Sequence, residues 1–263
     1  MKPDLHRLRE IVREAAAVEA VSAFNQSRRE VKWDGSVVTE LDRRIQARLE
    51  GALRGRWPGI PLLGEEMAPA AQRRLLAAAE AGLWCLDPLD GTSNFASGLP
   101  FFSISLAYLE GGRTVLGLVY DPERDECFMA EAGAGAMLND TPLRPPPPIE
   151  LKRSIACVDF KRLPGHLADQ LAHAFPYMSQ RNLGSSCLDW CWVAMGRFQV
   201  YIHGGQKFWD YAAGELILRE AGGRACTLGG EPVFRVGLEP RSVVAATRPE
   251  LFQEWWRWVE ANR

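Results

Sequence analysis

The spacing of apolar residues predicts two helices at the beginning of the chain. Residues 5–24 carry apolar side chains at helical spacing, which indicates a long amphipathic helix. A second helix is predicted over residues 39–54, with Thr39 and Asp42 forming a capping arrangement at its start. Residues 30–36 lie between the two and have the composition of a loop or hairpin.

Short apolar runs indicate two regions of sheet. After a brief strand at 60–63, a helix at 70–81 and an apolar run from Trp84, the segments 101–109, 114–120 and 126–131 alternate with turns, which is typical of an antiparallel meander. The residues after 150 alternate between the two-residue period of strands and the 3.6-residue period of helices. They predict strands at 155–160, 178–183, 198–202 and near 225 and 243, and helices at 165–175, 186–197, 210–221 and 249–261.

This order of elements predicts an α+β or α/β fold in which helices pack on sheets. The proline run 145–148 is the best internal boundary. We therefore expect an N-terminal α+β half at residues 1–145, which holds the meander and most metal ligands. A C-terminal α/β half at residues 146–263 then completes one compact catalytic unit.

Composition narrows the class of protein. The chain has 263 residues and a net charge of −2, so it shows no basic field for nucleic acid. No apolar run approaches the roughly 20 residues of a membrane span, and the first residues do not resemble a signal peptide. The six cysteines form no CxxC pair and are expected to be reduced and buried. We expect a cytoplasmic protein with no membrane or nucleic-acid partner.

The segment Asp87-Pro88-Leu89-Asp90-Gly91-Thr92 concentrates the candidate chemistry. Two aspartates follow an apolar run, so they are expected at the end of a buried strand. Carboxylates this close repel one another unless a cation lies between them, which favours a hard-cation site for phosphate chemistry. The alternative is a strand-to-turn junction with two solvated aspartates.

Glu65, Asp210 and Asp42 share this setting, each beside the end of an apolar element. Each also has a structural explanation. Asp42 and Asp210 fit helix caps, and Glu65 fits a solvated loop.

Taken together, these segments resemble the inositol monophosphatase superfamily of magnesium-dependent phosphatases. The resemblance runs in family order from about residue 32 to residue 223 and rests on five segments: residues 37–42, 64–66, 87–92, 184–186 and 209–214 followed by 220–223. It implies a layered α-β-α-β-α sandwich of the sugar phosphatase type, usually a homodimer, that acts on a small phosphate monoester.

The resemblance also implies roles for individual residues. Two or three Mg²⁺ ions, with Mn²⁺ as a substitute and Li⁺ as an inhibitor, would be bound by Glu65, Asp87, Asp90, Asp210 and the backbone carbonyl of Leu89. Thr92, helped by Asp42, would orient the attacking water, and Glu65 would be the third catalytic residue. The phosphate and its alcohol would contact Asp90, Gly91, Thr92, Gly184, Ser185, Ser186, His203 and Asp210.

Physical chemistry agrees with a hard cation. Four carboxylates and a phosphate monoester, which adds about −1.5 to −2, cannot assemble without positive charge. Oxygen ligands select magnesium or manganese over zinc. Because Asp90 is expected to be a ligand and not a core residue, its replacement by Asn should leave the fold near that of the wild type.

The substrate is the least determined feature. The later segments resemble the bacterial inositol monophosphatase branch most, which indicates a myo-inositol 1-phosphate type of substrate. That branch usually has a glutamate seven residues before the metal aspartate, where this chain has His203. His203 either contacts a polyol or is an exposed loop residue. Residues 32–36 also resemble histidinol-phosphate phosphatases of this superfamily, so histidinol phosphate is the second candidate, and fructose 1,6-bisphosphate and 3′-phosphoadenosine nucleotides stay as further alternatives. Cys187-Leu188 argues against the nucleotides, because the nucleotide phosphatases typically have a Leu-Lys pair there. A non-catalytic regulatory protein with this fold is the alternative from another class.

Overall fold

The computed structural model of the chain describes residues 2–21, Phe24 and residues 35–263, and for residues 35–39 it describes the backbone only. Helices in these ranges are α1 Leu5–Ala15, α2 Gly35–Arg56, α3 Pro69–Leu75, α4 Thr92–Ser97, α5 Gly165–Ala174, α6 Ser186–Ala194, α7 Phe208–Glu220 and α8 Pro249–Asn262. A π-helical segment, Ala16–Val21, continues α1, and short 3₁₀ segments occupy Leu76–Ala79 and Leu151–Arg153. None of the helices found in these ranges is long and apolar enough to cross a membrane.

The strands form two sheets. The first is seven-stranded and follows chain order: β1 Leu62–Gly64, β2 Leu83–Asp90, β3 Ser103–Glu110, β4 Arg113–Asp121, β5 Glu126–Glu131, β6 Gly135–Leu138 and β7 Thr141–Pro142. Only its β1–β2 pair is parallel, so the predicted antiparallel meander is correct and β6 and β7 extend it.

The second sheet is five-stranded. Its strands are β8 Ile155–Asp159, β9 Ser179–Arg181, β10 Val200–Gln206, β11 Arg224–Cys226 and β12 Arg241–Ala246. Their spatial order is β11-β12-β10-β8-β9, with β8 parallel to both β9 and β10.

Three apolar clusters join these elements into five layers. Leu8, Ile45 and their neighbours on α1 and α2 pack on one face of the first sheet. Helices α6 and α7 fill the space between the two sheets, with Trp190 and Tyr211 fully buried there. On the outer face of the second sheet, α5 and α8 pack around Trp255. The predicted α-β-α-β-α sandwich is therefore confirmed.

The six cysteines are free and buried, as predicted. The predicted 5–24 helix is helical throughout its described residues, as an α-helix to Ala15, a π-helix to Val21 and a helical Phe24. Several predicted boundaries are wrong. The second helix begins at Gly35, so Thr39 and Asp42 lie inside it and not at its capped start. Of the predicted 30–36 loop, residues 30–34 lie outside the described residues and Gly35 and Ser36 are helical.

Other differences are smaller. The 70–81 helix changes to a 3₁₀ segment after Leu75, the predicted 178–183 strand is shorter, and the predicted 186–197 helix ends at Ala194. The predicted 198–202 strand extends to Gln206 through Gly204 and Gly205. The reason lies at Gly204, where a Cβ would overlap the carbonyl group of Arg162. Glycine here allows a close approach of two backbones and does not end the strand.

Candidate active site

Strand β2 positions the two central aspartates. Both of its faces are buried: Trp84 and Leu86 face the α1–α2 layer, and Leu83 and Cys85 face the α6–α7 layer. Strand alternation therefore directs Asp87 toward α6 and α7.

A register shift between Asp87 and Asp90 puts Leu89 in the α1–α2 cluster, which leaves Asp90 on the same side as Asp87. Strand β2 thus runs through Asp87 and Asp90, so the prediction that both aspartates lie at the end of a buried strand is confirmed. The strand ends just before Gly91, whose φ of +91° favours glycine and where an added Cβ would lie only 2.9 Å from the Phe101 carbonyl oxygen.

Asp90 connects the two halves of the site. Its Oδ2 accepts hydrogen bonds from the Ser185 hydroxyl and from the Cys187 N–H at 2.8 Å, and its Oδ1 accepts one from the Ser186 N–H at 3.1 Å. These donors form the N-terminus of α6, where the Ser185 side chain makes no capping bond of its own. Asp90 thus caps α6, a helix that is distant from it in the sequence, in addition to being a predicted metal ligand.

Two residues that the sequence analysis did not single out support this junction. The Asn94 side chain donates to the carbonyls of Phe101 at 2.7 Å and Leu183 at 2.6 Å, which joins α4 to the segment before α6. The Ser103 hydroxyl lies 3.4 Å from Oδ2 of Asp90. No sequence motif marks these positions, since both act through pairing between distant segments.

Glu65 follows strand β1, which is parallel to β2. Its N–H donates to the Leu86 carbonyl at 3.2 Å, so it extends the pairing and lies beside Asp87. Burial of the carboxylate raises the pKa of Glu65, and the charges of Asp90 and Glu66 add to this effect.

Asp42 is buried on α2 and belongs to the same electrostatic cluster. Burial raises the pKa of Asp42 to about 8, with Glu66 and then Glu65 adding repulsion. The structure therefore brings Asp42 to the acidic site.

Asp210 lies in the first turn of α7. Its Oδ2 accepts a hydrogen bond from the Lys207 N–H at 2.8 Å. Burial raises the pKa of Asp210 to about 8, and the charge of Asp90 contributes next. Asp210 is therefore both a helix-capping side chain and a member of the cluster.

Thr92 is exposed at the start of α4. Its hydroxyl donates to the Leu89 carbonyl at 3.0 Å, so these two predicted groups adjoin each other. Their predicted roles, with water and metal respectively, stay predictions.

The donor set suits a hard divalent cation. Ligand atoms of Asp87, Asp90 and Cys187 lie within 4.8 Å of one another. Burial, followed by the charges of Glu65, Asp90 and Asp210, raises the pKa of Asp87 well above its usual range. The Cys187 thiol donates to the Asp210 carbonyl at 3.4 Å, so the oxygens are the better ligands. A cation at this point would remove the repulsion that these carboxylates impose on each other.

A groove of about 200 Å³ opens beside the cluster. Its lining includes the predicted Gly184, Ser185, Ser186, His203 and Asp210, together with Asp159, Lys161, Arg162, Asp189 and Gly205. His203 lies in strand β10 and is 8% exposed, so the alternative of an exposed loop histidine is wrong.

The sequence analysis did not predict the other residues that line the groove, which are Asp159, Lys161, Arg162, Asp189 and Gly205. Asp159 ends β8, and Lys161 and Arg162 follow it in the turn before α5. In the described residues one carboxylate oxygen of Asp189 has no hydrogen-bond partner, and burial raises the pKa of this group well above its usual range. Their only sequence signal is a position at the end of a strand or the start of a helix.

Comparison with known proteins shows to which family the chain belongs. The sequence model of the inositol monophosphatase family matches residues 4–260. The chain belongs to the inositol monophosphatase family. It is therefore a phosphoric monoester hydrolase of a metal-dependent family, as the resemblance implied.

Individual relatives agree with this membership. The chain is 37% identical over 237 residues to Nus factor SuhB of Haemophilus influenzae, covering 86% of this chain and 87% of the relative. It is 34% identical over 209 residues to an inositol-1-monophosphatase of Mesorhizobium japonicum, covering 76% and 75%. The crystal structure of inositol monophosphatase II from Staphylococcus aureus superposes with a TM-score of 0.81 at 26% identity, covering 95% of this chain and 92% of that one.

Proposed function

We propose that this enzyme is a Mg²⁺-dependent phosphomonoesterase that hydrolyses a small polyol phosphate of the myo-inositol 1-phosphate type. The observation that carries the proposal is the position of the acidic cluster beside a polar groove, which Asp210 of the cluster also lines. Asp90 and Asp210 belong to the cluster, and Ser185, Ser186 and His203 line the groove. A phosphate at the cluster would leave its alcohol in contact with hydroxyl, amide and imidazole groups.

In this proposal, oxygens of Glu65, Asp87, Asp90, Asp210 and the Leu89 carbonyl hold two or three Mg²⁺ ions. Such ions polarise a phosphate ester, lower the pKa of water and stabilise a departing alkoxide. The strand register supports this ligand set, because it directs Asp87 and Asp90 to one side of β2.

The protein itself contributes positioning. Thr92, Asp42 and Glu65 would orient the attacking water, with the Thr92 hydroxyl fixed by the Leu89 carbonyl. Backbone N–H groups at Gly91 and Thr92, and the segment Gly184–Ser186, would orient the phosphate and its alcohol. The reaction needs no protein nucleophile, since phosphoryl transfer depends mainly on placement and charge.

A substrate panel tests this proposal directly. Phosphate release would be measured with inositol 1-phosphate, histidinol phosphate, fructose 1,6-bisphosphate and 3′-phosphoadenosine 5′-phosphate, each with Mg²⁺ and with excess EDTA. We expect Mg²⁺-dependent turnover with the highest kcat/KM for inositol 1-phosphate. A preference for another ester would reject the polyol assignment, and turnover unaffected by EDTA would reject the metal mechanism.

We further propose that the enzyme is a cytoplasmic homodimer, as the family resemblance implies. Light scattering on purified protein measures the assembly state, and a monomer at micromolar concentration contradicts that part of the proposal.

A second candidate function comes from the relatives named Nus factor SuhB. Similarity over most of both chains supports a comparable role for this protein, with or without hydrolysis. The test replaces the Haemophilus influenzae protein with this chain, either wild type or Asp87→Asn. If both forms restore the function that the Haemophilus influenzae protein has in its own cell, this chain has a role separate from catalysis. If neither form restores that function, this candidate is rejected.

A further inference from the structure

Asp159 and His203 face each other across the neighbouring parallel strands β8 and β10. The two residues are register partners, and Nε2 of His203 lies 3.6 Å from Oδ2 of Asp159. Both line the groove beside the acidic cluster. His203 occupies the position where the family resemblance implies a glutamate, and Asp159 lies beside it.

The backbone determines which nitrogen of His203 carries hydrogen. The Gly205 N–H donates to Nδ1 at 3.0 Å, so Nδ1 must keep its lone pair and the proton must lie on Nε2. Burial lowers the pKa of His203 to about 4, with the positive charges of Arg162 and Lys161 contributing and Asp159 opposing. The ring is therefore neutral at physiological pH and directs an N–H toward Asp159.

A backbone N–H also orients the Asp159 carboxylate. Its Oδ1 accepts from the Lys161 N–H at 2.8 Å, which leaves Oδ2 for the groove. The Arg162 guanidinium donates to the Gly205 carbonyl at 2.6 Å, and the absence of a Cβ at Gly204 lets this turn lie against β10. Several backbone contacts therefore fix both side chains in place.

The 3.6 Å separation is too long for a direct hydrogen bond. It leaves one donor and one acceptor side by side at the wall of the groove. A single hydroxyl group can use both at once, because it accepts through a lone pair and donates through its hydrogen. A glutamate would instead offer acceptors alone.

We propose that Asp159 and His203 together determine specificity by binding one hydroxyl of the substrate's alcohol, which accepts from Nε2–H and donates to Oδ2. This inference rests on the proposed phosphatase function of the adjacent site. The neighbouring Lys161 and Arg162 make the groove less favourable for a cationic alcohol such as histidinol. The substrate class is therefore the phosphate ester of a neutral polyol.

The test measures the ratio of kcat/KM for inositol 1-phosphate to kcat/KM for p-nitrophenyl phosphate, which has no hydroxyl on its alcohol portion. Asp159→Asn keeps an oxygen for the Lys161 N–H but replaces the free acceptor with a donor. We expect the ratio to fall about 10- to 100-fold, mainly through KM, because a hydrogen bond to a charged group is lost. The matched control is Asp169→Asn on the exposed surface of α5, whose ratio should stay within about twofold of the wild type.

Two further measurements separate recognition from folding. Asp159→Ser keeps a short acceptor for the Lys161 N–H and lacks the second oxygen, so it should reproduce the lower ratio if Asp159→Asn fails to fold. The second measurement uses deoxyinositol 1-phosphates, each of which lacks one hydroxyl. For one of these analogues the wild type should have a lower kcat/KM than for inositol 1-phosphate. Asp159→Asn should have the same kcat/KM for that analogue as for inositol 1-phosphate.

The outcomes distinguish this inference from the proposed function. If the wild type releases no phosphate from any ester with Mg²⁺, the proposed function fails. If the wild type hydrolyses p-nitrophenyl phosphate and folded Asp159→Asn keeps the wild-type ratio within twofold, only the inference fails. It also fails if histidinol phosphate is the best ester or if the wild type prefers p-nitrophenyl phosphate to every hydroxylated ester.

Discussion

Replacing Asp90 by Asn should affect folding and catalysis separately, because the same carboxylate caps α6 and belongs to the candidate metal site. Its Oδ2 accepts from Ser185 and Cys187, and its Oδ1 accepts from the Ser186 N–H. Asparagine has one carbonyl oxygen in place of two carboxylate oxygens. At least one of these donors must then face an amide NH₂ group.

The size of the effect follows from the better of the two amide orientations. With its oxygen toward Ser185 and Cys187, the asparagine loses only the 3.1 Å bond from Ser186. An unsatisfied donor in a buried setting costs about 1–3 kcal/mol, and loss of a helix cap costs about 0.5–2 kcal/mol. We therefore expect the free energy of unfolding to fall by about 2 kcal/mol, while the variant still folds, as the sequence analysis expects.

Asp87→Asn provides the matched comparison. The Asp87 side chain accepts from the Leu89 N–H at 3.1 Å, and an asparagine oxygen can keep that bond. Burial and the charges of Glu65 and Asp90 already raise the pKa of Asp87, so a neutral replacement removes repulsion in the metal-free protein. Its stability in EDTA should therefore lie within roughly 0.5 kcal/mol of the wild type or above it.

Urea denaturation followed by circular dichroism, in EDTA and in Mg²⁺, separates the two effects. Wild-type protein should gain about 2.7 kcal/mol at Mg²⁺ concentrations 100 times Kd, and both variants should lose most of that gain together with turnover. Equal stability of the two variants in EDTA would refute the capping role of Asp90. Undiminished Mg²⁺-dependent turnover by Asp90→Asn would refute its assignment as a ligand.

Three other predictions follow from the same geometry. EDTA should abolish phosphate release and Mg²⁺ should restore it; persistent activity in a colorimetric phosphate assay contradicts an oxygen-ligand metal site. Because the folded pKa of His203 (about 4) lies below its unfolded value near 6.5, the folded protein binds fewer protons in that window and loses stability as pH falls. Urea titrations at pH 7 and pH 5 should show a loss about 2 kcal/mol larger in the wild type than in His203→Gln, and equal losses contradict a neutral, buried imidazole. Gly214→Ala should cost about 1–3 kcal/mol in thermal or urea denaturation, because its Cβ would lie 2.5 Å from Cβ of Trp190, whereas Gly51→Ala on the open face of α2 should gain about 0.5–1 kcal/mol.

The acidic motif could be predicted from the sequence because its geometry is local. Two residues separate Asp87 from Asp90, and the irregular pairing of that short segment is enough to put both on one side of β2. Layered packing was also predictable, since the change from strand-like to helix-like periodicity marks which elements cover the sheets.

The role of Asp42 shows where local patterns become ambiguous. A threonine followed three residues later by an acidic side chain suits a capped helix start, yet α2 begins earlier, at Gly35. The same carboxylate lies in the electrostatic environment of Glu65 and Glu66. A pattern within one helix cannot reveal that another segment brings acidic residues against it.

The Asp159–His203 pair depends on a different kind of information. Strand register brings the two residues together across 44 positions of the chain, and the contact of Arg162 with Gly205 fixes the turn between them. Nothing in the residues around Asp159 identifies this arrangement, whereas the substitution of histidine at position 203 could be noticed from the motif order alone. The sequence therefore located the altered position but not its partner.

The hydrogen bonds of Asp90 explain why the acidic cluster and the substrate groove remain in register with each other. Asp90 comes from the first sheet, and its three donors begin α6, which packs between the sheets and lines the groove through Ser185 and Ser186. Any displacement of α6 relative to β2 would break several hydrogen bonds at once in a buried setting. It would also move the groove away from Asp87. One carboxylate thus links the stability of the sheet junction to the distance between the candidate metal site and the alcohol of the substrate.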